Sequence, residues 1–432
     1  MIKSKSFSLM FLASLALLTA SASPDKNLRF KAKLIGSPYI NSESGLGGNI
    51  PTSINEGGKV AGYYPIFDDL GNVEGLASFA WSDRDGFEDL GLGPSVDQET
   101  GFRRSFVAMG INDQGDIAGT LRIVEPLGDG RNRVWETFAF VLRADGNLDI
   151  FAPQSPFPGR DGYYDAYGNA INNFGEVVGH ERFFEANGRL SETPPIIWSA
   201  DGATLVDLNP AEPVVRRSNA VGADINDQGT IAGRATYYVD GRPLGNEAFI
   251  WNYDIGLVRL GALAESASGG RSSTANALNE NEEVVGSSLI YSPENTYNVS
   301  VPFYWSAATG MVELPLLDLE VVSENQFVFG NANDINESGV VVGFSRAIEV
   351  DPSGPNTPLE SRATIWVEGE AMDLNDLVIN LDLELIGATS INDRGQIAAV
   401  ALGETGQVGV LLTPVYQSGQ KKGHKDGHPG LK

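Results

Sequence analysis

One nine-residue segment occurs seven times along the chain. Self-similarity at a near-constant period is the signature of an array of like supersecondary units. Its cleanest copy, Ile-Asn-Asp-Gln-Gly-Asp-Ile-Ala-Gly, spans residues 111–119, with siblings at 54–62, 171–179, 225–233, 278–286, 335–343 and 391–399. Asn stands second in every copy: Asn55, Asn112, Asn172, Asn226, Asn279, Asn336 and Asn392, spaced by 57, 60, 54, 53, 57 and 56 residues.

The segment reads as a β-hairpin. A strand ends at Ile-Asn, a few turn residues follow, and a second strand such as Asp-Ile-Ala-Gly or Glu-Val-Val-Gly leaves. The Asn side chain suits a turn because it can bond the local backbone. The Gly three residues on (Gly58, Gly115, Gly175, Gly229, Gly339, Gly395) suits a left-handed position. Glu282 takes that place in the fifth copy, which predicts a strained or different turn there. The Asn and acidic residues lack the ligand spacing of known calcium loops, so the reading is a structural turn with no metal. As a turn cap, Asn226→Ala is expected to cost about 1 kcal/mol.

Each period holds two further strands. One carries an aromatic core: Phe79-Ala-Trp81, Ile197-Trp198, Phe249-Ile-Trp251, Phe303-Tyr-Trp305 and Ile365-Trp366. The other reads Asp-Leu or a variant, as at Asp89-Leu90 and Asp373-Leu374. Four strands in each of seven periods predict an all-β fold, a seven-bladed β-propeller of four antiparallel strands per blade. An orphan strand at residues 28–36 matches the Asp-Leu type, and residues 408–415 match the aromatic type. Pairing of these N- and C-terminal strands would close the ring. The small residues before each Asn place that strand innermost. The short turns then share one face and the long, variable loops the other, where function is expected.

The ends read differently. Lys3 and Lys5, an apolar run at 7–18 and Ala20-Ser21-Ala22 predict a signal peptide over residues 1–22. Residues 23–415 form one propeller domain, and the Gly- and Lys-rich residues 416–432 a flexible tail. Export places the protein in the periplasm or outside the cell, with no membrane insertion. The chain contains no cysteine, which excludes disulfides, thiol catalysis and a lipid anchor on cysteine. Without residues 1–22 it carries 28 basic against 56 acidic residues. A field that negative disfavours nucleic acid, whose binding needs basic contacts. A monomer is expected.

The pattern Ala-Phe-x-Trp, Asp-Leu-Gly, Ile-Asn-x-x-Gly-x-Val-Val-Gly resembles the bacterial extracellular HAF-repeat family, and its long proteobacterial members of unknown function. The resemblance covers residues 28–415 and is specific in the Ile-Asn hairpin. The family's His is replaced here by Ser78, Thr137, Pro195, Ala248, Pro302 or Ala363. It implies an exported repeat protein with no assigned chemistry, so no catalytic residue carries over.

Chemistry is sparse. The only histidines are His180, His424 and His428, and no phosphate-binding or dinucleotide fingerprint occurs. No cofactor is implied. The leading expectation is a non-enzymatic binding or scaffold module. The alternative is a carbohydrate-active hydrolase or lyase with a carboxylate pair on the long-loop face. Arginines recur on four successive long loops, 8–12 residues before the next Asn: Arg103 and Arg104, Arg160, Arg216 and Arg217, and Arg271. Converging around the mouth, they would grip carboxylate or sulfate, with Tyr163 and Tyr164 as stacking surfaces. The expected partner is an anionic polysaccharide, an acidic peptide or another extracellular protein. The competing reading pairs each Arg with a nearby loop carboxylate.

Overall fold

The computed structural model describes residues 28–36, 48–67, 73–93, 95–96, 99–126, 132–153, 162–206, 208, 219–291, 298–351, 355–404 and 406–415. The fold is all-β, with one short helix, Leu374–Leu377, among the described residues. Each repeat folds as four antiparallel strands lying side by side in chain order. In the first unit these are Ile50–Ile54, Val60–Phe67, Val73–Ser82 and Gly86–Asp89. The second and sixth units are alike, and the third adds a short strand, Leu190–Glu192. The fourth and fifth units are joined where Gly245 and Asn246 pair in parallel with Arg271 and Ser272.

In the seventh unit the fourth strand comes from the other end of the chain. Phe30–Leu34 pairs antiparallel with Gly406–Pro414, from Phe30 opposite Pro414 to Leu34 opposite Val410. Both strands lie within two residues of their expected bounds. The flanks stay bonded beyond the ladder, Ile35 N–H to Gly409 O at 2.8 Å and Val415 N–H to Arg29 O at 2.8 Å.

The aromatic third strand forms the core of each sheet, as its sequence register predicts. Trp81, Trp198, Trp251 and Trp366 are at most 5% exposed, while the sixth tryptophan, Trp135, stands outside this register and is exposed. Apolar clusters span neighbouring units. Val178 and Ile197 of the third pack with Ile225 and Phe249 of the fourth. Ala398 and Leu411 of the seventh pack with Ile54 and Phe79 of the first. The first strand of each unit lies against that of the next, and Glu384–Ile391 lies against Ile50–Ile54.

Crowding of the first strands takes a specific form. In every unit the pairing skips a residue shortly before the Asn, at Thr52, Met109, Asn169, Ala223, Asn276, Asn333 and Thr389, and the seventh unit skips Ile386 as well. Such a bulge re-aims the side chain it carries. Asn169, Asn276 and Asn333 each use it to donate across to a carbonyl of the next unit at 2.7 Å (Gly222, Ala332, Ala388).

The repeated Gly of the second strand faces that crowding. A Cβ on Gly233 would lie 2.0 Å from the carbonyl oxygen of Val221, and Gly119, Gly286 and Gly343 meet the same 2.0 Å obstacle. Ala399 occupies this position in the seventh unit, where the register shifts twice instead of once. Gly233→Ala is therefore expected to cost about 2 kcal/mol through forced overpacking, read as a lower denaturant midpoint with an unchanged slope. The fifth turn keeps the common geometry: Glu282 N–H donates to Asn279 O at 3.1 Å, as each Gly does, with Glu282 held at a φ of 57°. The strain expected of that turn is real, and its conformation is unaltered.

Candidate functional site

The seven asparagines are more than turn caps. Each Oδ1 accepts the N–H of the residue four further on, at 2.8–3.0 Å, which is the expected local bond. Each Nδ2 also donates to the backbone carbonyl of the Asn in the next unit. Asn55 reaches Asn112 at 2.9 Å, Asn112 reaches Asn172 at 3.1 Å, and Asn172 reaches Asn226 at 3.1 Å. Asn226, Asn279 and Asn336 continue at 3.2, 3.2 and 3.1 Å, and Asn392 returns to Asn55 at 3.0 Å. The seven residues are 3–7% exposed. A buried amide needs both halves satisfied, and here one half serves the turn and the other the neighbour.

A second cycle runs beside the first. The residue after each Asn is Glu56, Asp113, Asn173, Asp227, Glu280, Glu337 or Asp393. Its backbone N–H donates to the side-chain oxygen of its counterpart in the next unit, at 2.7–2.9 Å all the way round. Sequence reasoning missed this crown, although six acids in seven equivalent positions were visible. All seven units line a cavity of about 200 Å³ with these residues and the Ile or Leu before each Asn. That cavity opens among the short turns and not among the long loops, where a site was expected.

Two carboxyls stand at the position before the Ile, Asp224, which lines the same cavity, and Asp334 in the sixth unit. Asp224 accepts Leu278 N–H at 3.0 Å, and Asp334 accepts Ser390 Oγ–H at 2.7 Å and Ile391 N–H at 2.8 Å. Each caps the following unit, as Ser390 does for Ile54 N–H at 3.3 Å. Both residues are half-buried. Burial pushes Asp224 up to about 7 and Asp334 up to about 6, and repulsion from Asp334 adds to the shift of Asp224. Burial likewise raises Glu56 and Glu337, helped by repulsion from neighbouring acids.

A carboxyl raised above its unfolded value near 3.9 contributes stability that is complete below about pH 4. That stability is lost as pH rises through about 6 to 7. The melting temperature should thus be higher at pH 5 than at pH 8. Replacing Asp224 and Asp334 together by Asn should flatten that slope, while an unchanged slope would remove these two groups as its source.

Of the arginines singled out by sequence, Arg103, Arg104 and Arg271 are among the described residues. Arg103 pairs with Glu74 of the preceding unit at 3.0 Å. Arg271 pairs with Glu265 at 2.8 Å and with Glu247 at 3.2 Å. Glu247, its side chain 2% exposed, also takes Arg259 at 3.3 Å, which staples the fourth unit to the fifth. Arg104 is exposed, its backbone N–H bonded to Ser95 O at 3.0 Å. Tyr163 and Tyr164 pair by backbone with Phe184 and Phe183. Arg160, Arg216 and Arg217 lie outside the described residues.

His180, one of the three histidines of the chain, sits in a polar cluster of the third unit. Its ring stacks on Tyr167 at 4.8 Å and 5°. The Arg182 guanidinium lies 4.6 Å from the same Tyr ring, bonded to the Tyr167 hydroxyl and to Asp165 at 3.1 Å. Burial, with the charge of Arg234 in the next unit, lowers His180 to about 4.

No family model matches the chain, and no curated protein matches it. Among solved structures it is similar to the Pyrococcus horikoshii acylaminoacyl peptidase, at 11% identity and a TM-score of 0.41 over 87% of this chain and 52% of that one. It is similar to the β-propeller domain of the Trilobed protease from Pyrococcus furiosus, at 9% identity and a TM-score of 0.36 over 78% of this chain and 98% of that one. An ulvan lyase is similar at 12% identity and a TM-score of 0.37, over 89% of this chain and 94% of that one. The chain spans about half the length of the acylaminoacyl peptidase structures it matches. Likenesses this distant leave the chemistry of the chain to its own residues.

Proposed function

We propose that this chain is an exported, closed seven-bladed β-propeller, each four-stranded unit a blade. It acts outside the cytoplasm as a non-enzymatic binding or scaffold module for an anionic glycan or acidic peptide. The observation that carries the reading is the hydrogen-bond cycle of the asparagines, which passes through all seven repeats and returns from Asn392 to Asn55. Pairing of Phe30–Leu34 with Gly406–Pro414 supports the latch. The charged run and cleavage pattern of residues 1–22 support export, and the Ile-Asn hairpins support membership of the HAF-repeat family.

The repeated polar groups of the cavity favour binding over catalysis. The asparagines, the crown and the two raised carboxyls, Asp224 and Asp334, already hold neighbouring units together. A hydrolase or lyase would need a carboxylate pair free to meet substrate. The test is a glycan array of uronate-bearing, sulfated and neutral oligosaccharides, run beside assays for reducing-sugar release and unsaturated products. Selective retention of anionic glycans without product supports the module. Product formation assigns an enzyme, and retention of no glycan or acidic peptide removes the binding role.

A further inference from the structure

The polar cluster of the third unit has hydrogen-bonding capacity left over. His180 Nδ1 and Arg182 Nε are both buried, and neither has a hydrogen-bond partner among the described residues. His180 and Arg182 are two apart on one strand, Val177–Glu185, so they project from the same face of the sheet. Arg234, in the strand Ile231–Val239 of the next unit, is exposed and makes no ion pair among the described residues.

The charge of the cluster has a definite sign. Asp165 offsets Arg182, with which it pairs at 3.1 Å. Imidazole desolvated by burial stays neutral near pH 7, so Arg234 leaves a net charge of about +1. The Nδ1 of a neutral His180 donates in one of its two tautomers, and the Arg182 Nε–H and the Arg234 guanidinium are donors. No described acceptor answers the first two. Donors left unmet in a desolvated place cost free energy unless a ligand supplies the acceptor.

We propose that His180, Arg182 and Arg234 form a binding site for a singly charged oxyanion. Its ligand is the carboxylate of a uronic acid or the sulfate ester of a sugar. Tyr167 touches both donors, its ring stacked on the imidazole and its hydroxyl bonded to the Arg182 guanidinium. The site rests on the anionic-ligand reading above and places it on residues that the loop arginines do not include. Because the protein as a whole is strongly negative, the attraction is local, through short charge-assisted bonds.

The experiment follows the His180 imidazole by NMR in the full chain, its resonance identified by its loss in His180→Gln. The probes are inorganic sulfate, glucuronate, a sulfated monosaccharide and glucose. Sulfate and at least one anionic sugar should move the resonance saturably and raise the His180 pKa, and glucose should not. Comparison of glucuronate with the sulfated sugar tells which source the site prefers. Arg234→Gln, at an exposed position, should weaken binding about tenfold, the loss of one charged hydrogen bond, and Arg234→Lys should restore part of it. A silent His180 with every anion, or equal affinity in Arg234→Gln, overturns the site. Anionic oligosaccharides retained by a protein whose His180 stays silent would leave the binding module standing and remove this site from it. A responsive His180 in a protein that retains no oligosaccharide would do the reverse.

Discussion

Deleting residues 28–36 is expected to abolish cooperative unfolding and leave an aggregating protein. The strand they supply is only five residues long, yet it is held from three sides. Phe30–Leu34 pairs with Gly406–Pro414 along its length. On its other flank Asn380 bonds the backbone of Ala32 twice, accepting its N–H at 2.7 Å and donating to its O at 3.0 Å, and Ile379 N–H donates to Phe30 O at 3.0 Å. Beyond the strand, Asn49 Nδ2 donates to Ile35 O at 2.8 Å and its Oδ1 accepts Gly409 N–H at 2.8 Å. Phe30 is 2% exposed and packs with Leu374, Leu385 and Leu412. Without the segment the apolar strand Gly406–Pro414 becomes an unpaired edge, a template for intermolecular pairing. Phe30→Ala alone should cost about 3 to 4 kcal/mol. Light scattering and a thermal scan of the deletion variant check the claim, and a monomer melting like the parent would show that the terminal strand is ornamental.

The parts of this fold legible in the sequence are those governed by a local period. The seven hairpins, the aromatic register and the terminal strand pairing could be read because alternation and turn chemistry operate within about ten residues. The second function of each Asn could not. Its Nδ2 partner lies one whole repeat away, between 53 and 60 residues along the chain, and Asn392 finds its partner 337 residues back. Nothing local distinguishes an Asn that only caps a turn from one that also bonds the next unit. The bulges at Asn169, Asn276 and Asn333 were hidden for the same reason, since a skipped residue leaves the alternation on each side intact.

Charged residues were harder still. The recurrence of arginine before successive hairpins was real, but recurrence does not say which way a side chain turns. Arg103 and Arg271 turn toward Glu74 and toward Glu247 and Glu265. Glu247 looks in sequence like an ordinary polar residue of an alternating strand, and only the packing shows it buried between two arginines. His180 and Arg234 gave no signal because their nearness depends on how the third unit meets the fourth. The acidic crown was legible as a column of six acids, and its meaning was not, because it arises only when equivalent turns are brought side by side.

Asn226→Ala is expected to cost about 3 kcal/mol, well above the figure for a turn cap alone. The side chain makes three bonds while 5% exposed. Oδ1 accepts Gln228 N–H at 3.1 Å and Thr230 N–H at 2.9 Å, and Nδ2 donates to Asn279 O at 3.2 Å. Each bond contributes about 1 kcal/mol net, and truncation also strands buried backbone partners that water does not reach. Asn226→Asp separates the two functions. Its carboxylate keeps both turn bonds but cannot donate, and it faces the Asn279 carbonyl across the unit boundary. It should therefore cost about 1 to 2 kcal/mol at neutral pH. Denaturant midpoints of the two variants, with unchanged slopes, measure the cap and the cross-unit bond apart. Should Asn226→Ala lose only about 1 kcal/mol and Asn226→Asp nothing, the cycle would be a geometric consequence of seven alike turns, and the units would owe their cohesion to the apolar clusters between them.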